Sequence, residues 1–122
     1  MKWKFTDDRP LYLQAAALIR GAVFSGEFPP GSRIPSVREL AAQARVNPNT
    51  MQRAMAELER DGLVHSQRTA GRFVTEDGGT IAAARRDLAR HHLEQFLSAM
   101  AGLGYERAEI EDLLGQELEK EE

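Results

Sequence analysis

The sequence predicts a mostly α fold with a small β wing, followed by a C-terminal α-helical hairpin. Three observations carry this. Two short amphipathic helices are joined by a very tight turn at Arg45-Val46. Two short apolar-alternating runs flank a glycine-containing turn at 68–71. Two further helical stripes follow Asp77-Gly78-Gly79 and are separated by Gly102-Leu103-Gly104.

The first helix is expected over about 10–25. Pro10 suits a first helical turn, where its missing N–H costs nothing. Leu11, Ala15, Leu18, Ile19, Ala22 and Val23 recur at helical spacing and are expected on one inward face. Gly26 stops the helix, and Phe28-Pro29-Pro30-Gly31 makes a stiff turn. Ser36-Val37-Arg38-Glu39 has the spacing of a capping box, which starts a second helix with Val37, Leu40, Ala41 and Ala44 inward. Asn47-Pro48 supplies an N-cap and a first-turn proline for a third, running to about Asp61 and ending at Gly62, with Met51, Met55 and Leu58 inward.

Strands are expected at Leu63–Gln67 and Arg72–Thr75 around the turn Arg68-Thr69-Ala70-Gly71. Two helices joined so tightly read as a helix-turn-helix, and the hairpin after them reads as its wing. The chain therefore divides at 1–77, a winged helix-turn-helix DNA-binding domain, and 78–122, a two-helix dimerisation region. In the latter, helices are expected at about Thr80–Met100 and Glu106–Glu119, with fraying from Glu117.

Composition sets the class. Of 122 residues, 42% are hydrophobic and 29% charged, which is ordinary for a folded globular chain. No apolar run reaches the roughly 18 residues that span a bilayer, and no leader pattern is seen, so a cytoplasmic protein without a membrane partner is expected. Cysteine is absent, which excludes disulfides, thiol catalysis and cysteine-ligated zinc. The net charge of −3 hides an asymmetry. Residues 1–77 hold 11 Lys/Arg against 9 Asp/Glu, and 78–122 hold 5 against 10. Within 32–53, Arg33, Arg38, Arg45 and Arg53 face only Glu39. A local basic face matters more for meeting phosphates than total charge.

With Met51, Met55 and Leu58 inward, a rotation of about 100° per residue turns Asn49, Gln52, Arg53 and Ala56 outward. Amides pair with adenine edges and a guanidinium with guanine, so this face is suited to reading bases. Asn47 serves equally as a cap.

An enzyme is the first competing class. Ser36 and Ser66 lack a His/Asp partnership, and no catalytic set is assigned. His91 and His92 are adjacent, so on a helix they diverge by about 100°. A helical metal pair wants a spacing of four, and no metal or cofactor is assigned. The second competitor is a winged-helix protein-interaction module without sequence-specific DNA binding. The polar, arginine-bearing exterior of 47–61 argues against it, since a docking helix would carry an apolar anchor.

Four stretches together resemble the GntR family of winged helix-turn-helix transcriptional regulators, in particular its YtrA-like subfamily. They are RPLYLQ at 9–14, SGEFPPGSRIPSVRELA at 25–41, VNPNTMQRAMAELERDGLV at 46–64 and RTAGRFV at 68–74. The resemblance implies a homodimer, usually a repressor, on a near-palindromic operator, often controlling ABC-type transporter genes. It implies DNA contacts from Arg38, Asn47, Asn49, Thr50, Gln52 and Arg53, and from Arg68, Thr69 and Gly71 of the wing. Many relatives carry Arg-Gly-Lys-Gly at the wing tip. Here the tip lysine and first glycine are absent, which weakens the expectation of deep minor-groove insertion.

Larger relatives append effector-binding or aminotransferase-like domains, for which the residues after 77 are too few. A dimer interface is expected instead from Leu88, Leu93, Phe96, Leu97, Met100, Ile110, Leu113, Leu114 and Leu118. The expected partners are double-stranded operator DNA and a second copy of the chain, with no small-molecule effector assigned.

Overall fold

The computed structural model describes residues 1–121. Its element order is α1 (Leu11–Ser25), α2 (Val37–Ala44), α3 (Pro48–Arg60), β1 (Val64–Gln67), β2 (Gly71–Val74), α4 (Gly78–Gly102) and α5 (Arg107–Lys120). The expected mostly α fold with one small antiparallel wing is what the chain adopts. Two compact units are present, Met1–Arg85 and a second beginning at Arg86.

The first unit is organised around α3, which packs against α1, α2 and β1. Met51, Ala54, Met55 and Leu58 have no exposure, and they meet Ala15, Ile19 and Val23 of α1 and Leu40, Ala41 and Ala44 of α2 in one cluster. Leu63, Val64 and Val74 close it from the wing. Burying a side chain of this size stabilises by about 1.5–3 kcal/mol, so three or four such residues hold a helix that could not persist alone in water.

Local signals set the helix ends. The Ser36 hydroxyl accepts from the Glu39 N–H at 3.1 Å, and the Glu39 carboxylate accepts from the Ser36 N–H at 3.3 Å. The α2–α3 turn closes with Arg45 at φ 59° and the Val46 N–H donating to the Ala41 carbonyl at 3.1 Å. Gly26 at φ 86° ends α1, a conformation that costs glycine nothing.

Three features depart from the sequence reading. Leu11 is 43% exposed instead of inward, and Gln14 takes a buried place on that helix. The Gln14 Oε1 accepts from the Thr6 N–H at 2.8 Å, and its Nε2 donates to the carbonyls of Thr6 at 2.9 Å and Arg9 at 2.8 Å. The amide thus satisfies itself by stapling the N-terminal segment, whose Trp3 and Phe5 pack against the core. Periodicity could not show this, because the partners are backbone groups.

Secondly, the wing has a third backbone partner. The Ile34 N–H donates to the Arg72 carbonyl and the Val74 N–H to the Ser32 carbonyl, both at 2.9 Å, and Arg33 bridges Phe73. This third run of pairing stabilises a two-stranded hairpin that would be marginal alone. The strands themselves are a residue shorter at Leu63 and Thr75 than expected, and β2 begins at Gly71.

Thirdly, α4 starts at Gly78, not Thr80. Asp77 Oδ1 accepts from the Gly79 N–H at 2.9 Å and the Thr80 N–H at 3.3 Å. The Thr80 hydroxyl bond and these two N–H groups hold the Asp77 carboxyl below its ordinary range. An ionised cap of this kind offsets the poor helix propensity of two glycines.

In the second unit, α4 ends in a turn where the Tyr105 N–H donates to the Met100 carbonyl at 3.2 Å and Gly104 takes φ 92°. The Glu109 carboxylate accepts from the Glu106 N–H at 3.1 Å and starts α5. That helix continues to Lys120, whose ammonium pairs with the Glu117 carboxylate at 3.1 Å.

Gln14→Leu removes four hydrogen bonds to the N-terminal segment, the three to backbone groups and one from the Thr6 hydroxyl, while keeping side-chain volume. It is expected to lower unfolding free energy by about 1–3 kcal/mol. Emission from Trp3, the single tryptophan, should shift to the red as the segment loosens. Unchanged stability and emission would show that the staple contributes nothing.

Candidate nucleic-acid interface

The buried inner face of α3 fixes its outer one. Asn49, Gln52, Arg53 and Ala56 are exposed, and Thr50 is half-buried. Asn47 acts as the cap: its Oδ1 accepts from the Asn49 N–H at 2.7 Å. That bond uses one lone pair of the oxygen and leaves the amide N–H₂ without a partner among the described residues. Asn49, Thr50 and Arg53 line one shallow cleft of about 360 Å³ with Leu11 and Tyr12 of α1. Arg38 is exposed on α2, and Arg68 and Thr69 are exposed in the hairpin loop, on elements separate from that cleft.

Tyr12 escaped the sequence reading, and so did the place of Arg33, which enters it only as part of the basic stretch. The Arg53 Cζ lies 3.9 Å from the centre of the Tyr12 ring. Tyr12 stands inside the RPLYLQ stretch, yet only the packing of α1 on α3 brings it to Arg53. Arg33 lies under the wing: a β-carbon at Gly71 would sit 3.1 Å from the Arg33 Nε. Gly71 also has φ 100°, a backbone conformation that strains any residue with a side chain, whereas the space alone would ask only a small shift of the flexible Arg33 side chain. Thr69, at the loop tip, has φ 68° without being glycine.

Arginines divide into two sets. Arg20 bonds Asp61 at 2.7 Å, Arg60 bonds Glu57 at 3.1 Å and Arg72 bonds Glu59 at 2.7 Å. Among the described residues, Arg33, Arg38, Arg45, Arg53 and Arg68 make no ion pair with an acidic side chain. In the paired set Arg20 and Arg72 tie α1 and the wing to the C-terminal end of α3, while Arg60 pairs within α3 itself. The unpaired set leaves guanidinium groups available to phosphates or base edges.

The Glu59 tie is specific. Its Oε1 accepts from the Ser66 hydroxyl at 2.6 Å and from the Arg72 Nε–H at 2.7 Å. The Ser66 bond, with the Arg72 bond and charge, outweighs partial burial and holds the carboxyl below the ordinary glutamate range. One carboxylate thereby joins α3 to both wing strands.

The sequence matches the family described as bacterial regulatory proteins, gntR family, over residues 11–74. The chain belongs to the GntR family. It is 39% identical over 107 residues to the HTH-type transcriptional regulator YhcF of Bacillus subtilis (strain 168), covering 88% of each chain. It is 33% identical over 89 residues to the HTH-type transcriptional repressor YtrA of the same organism, covering 72% of this chain and 68% of YtrA. Among solved structures, a GntR family transcriptional regulator from Listeria monocytogenes superposes with a TM-score of 0.87 at 36% identity, over 92% of this chain and 98% of that one. The DNA-binding domain of AraR, solved in complex with operator ORX1, gives a TM-score of 0.54 at 28% identity over 62% of this chain and 92% of that one. This GntR chain is thus a DNA-binding transcriptional regulator and not an enzyme. No helix among the described residues is long and apolar enough to cross a membrane.

Glu59→Ala is expected to destabilise the first unit by about 1 kcal/mol near neutral pH, since the pair is partly solvent-screened. The folded-state pKa is lowered, so the contribution is present above the ordinary glutamate value. It disappears as pH falls through the folded value. Denaturation of both proteins from pH 7 into the acid range should show their difference shrinking below the ordinary glutamate pKa. A difference that grows on acidification would reverse the sign.

Proposed function

We propose that the chain is a cytoplasmic repressor that binds a near-palindromic operator as a homodimer. In this reading residues 1–77 bind DNA and 78–122 dimerise. The carrying observation is the outer face of α3, where Asn49, Gln52 and Arg53 stand exposed on a helix whose inner face is fully buried. These three side chains would enter the major groove and read bases. Thr50 and the Asn47 amide would serve at the helix start, where unpaired N–H groups favour a phosphate. Arg38 from α2 would position the helix on the backbone, while Arg68 and Thr69, with the close-packed Gly71, would bring the wing to the neighbouring groove.

The dimer reading is supported by apolar surface on the second unit. Leu93 is 57% and Leu118 58% exposed, and Phe96, Leu97, Leu113 and Leu114 are also exposed. Leu93, Phe96, Leu97, Ile110 and Leu114 line a groove of about 410 Å³, of which Ile110 is already buried within one chain. Leu88 and Met100 are half-buried. A second hairpin related by two-fold symmetry would cover this surface and give a four-helix arrangement. The likeness to YtrA, and the family's usual genetic setting, favour an ABC transporter operon as the regulated target. A transcript comparison of the deletion strain tests that directly.

Phe96→Asp places a charge in the proposed seam and is expected to give a monomer by light scattering. Its affinity for the symmetric site should fall steeply, because two linked heads share an effective concentration that one lacks. A stable Phe96→Asp dimer would place the interface elsewhere.

Salt dependence gives a second measure of the DNA face. A dimer making about 6–10 phosphate contacts should lose roughly 10³–10⁵ in affinity between 50 and 200 mM salt. Near salt-independence would remove the unpaired arginines from the docking surface.

A further inference from the structure

The contact between Tyr12 and Arg53 crosses from one helix to another at the DNA-facing side of α3. Tyr12 is the second residue of α1, half-buried, and Arg53 is an exposed residue of α3. The guanidinium carbon lies 3.9 Å from the ring centre, at van der Waals contact with the aromatic face. Attraction of a cation to that face is electrostatic, from the ring quadrupole. Contact through the face leaves the N–H donors at the guanidinium edge unspent. Among the described residues Arg53 makes no ion pair, and its cleft is shared with Asn49 and Thr50.

An unsupported arginine samples many rotamers and loses that freedom when it meets a base. One already held on a ring loses less. The gain is largest where geometry matters most, in a paired contact to a single base edge. It is small for a contact to phosphate, which tolerates many orientations.

We propose that Tyr12 is a positioning residue for base readout: its ring holds the Arg53 guanidinium and so sharpens base preference at one position of the bound sequence. Tyr12 acts through Arg53 and need not touch DNA itself. The inference rests on the reading of α3 as the recognition helix and goes beyond it by assigning a specificity role to α1. The ring face is what matters, and the hydroxyl does not.

The test is selection of bound sequences from a duplex library with a randomised core, using the full chain as wild type, Tyr12→Phe, Tyr12→Leu, Arg53→Ala and Tyr12→Leu/Arg53→Ala. Thermal melts confirm that each variant is folded. Arg53→Ala should flatten preference at one position. Tyr12→Leu should lower preference at that same position by about two- to fivefold, the range for a solvent-accessible cation–ring contact. Other positions should be unchanged, Tyr12→Phe should match wild type, and the double variant should resemble Arg53→Ala alone.

Wild-type preference in Tyr12→Leu would overturn the proposal, as would a uniform loss across all positions, which is the signature of a packing or phosphate role. A Tyr12→Phe protein as impaired as Tyr12→Leu would assign the effect to the hydroxyl and overturn it too. The underlying reading fails separately, through an Arg53→Ala protein that keeps every wild-type preference.

Discussion

Burial of one face of α3 is the constraint on which the rest depends. Met51, Ala54, Met55 and Leu58 are without exposure, so the rotation of the helix about its own axis is fixed. Whatever occupies the opposite face is presented outward in a definite order. Leu58→Ala would remove one of the largest buried side chains, at a cost of about 2–5 kcal/mol. It would also loosen the presentation of Gln52 and Arg53. The two ion pairs at the far end, Arg20 to Asp61 and Arg72 to Glu59, add a second level of restraint. They join α1 and the wing to the helix end opposite the proposed reading residues. Stability and function are thus separated along and across a single helix.

Charge follows the same division. Acidic residues in the first unit are largely spent on caps and ties: Glu39 on Ser36, Glu59 on Ser66 and Arg72, Asp61 on Arg20, Asp77 on the start of α4. That leaves the arginines at 33, 38, 45, 53 and 68 without an ion-pair partner among the described residues. A protein with net charge −3 can then offer a basic surface, because its negative charge lies mostly in 78–122 or is paired.

Much of this was legible in the sequence because its causes are local. The capping box at Ser36, the Asn47 cap, the tight turn and the inner stripe of α3 depend on residues within one or two turns of each other. So does the outward set Asn49, Gln52 and Arg53. What was not legible depends on partners distant in the chain. Gln14 was not among the residues expected inward, and its burial follows from backbone groups at Thr6 and Arg9. The pairing of 31–34 with the wing uses carbonyls and N–H groups, which carry no side-chain signature. The pairing of Arg72 with Glu59 likewise depends on the wing folding against α3, 13 residues away in the chain. Tyr12 meets Arg53 only through helix packing. The double glycine before Thr80 read as a break, since propensity favours one there, and the Asp77 cap reversed the outcome.

The central claim is that the outer face of α3 is the surface that meets DNA. An amide chemical-shift titration of the full chain with its selected operator duplex tests it most directly, with the Arg53 Nε–H resonance followed alongside. The account predicts the largest changes at Asn49, Gln52 and Arg53, including that side-chain signal, smaller changes at Arg68 and Thr69, and little movement over 107–120. Saturation of binding with α3 unmoved and the principal changes in α5 would contradict it.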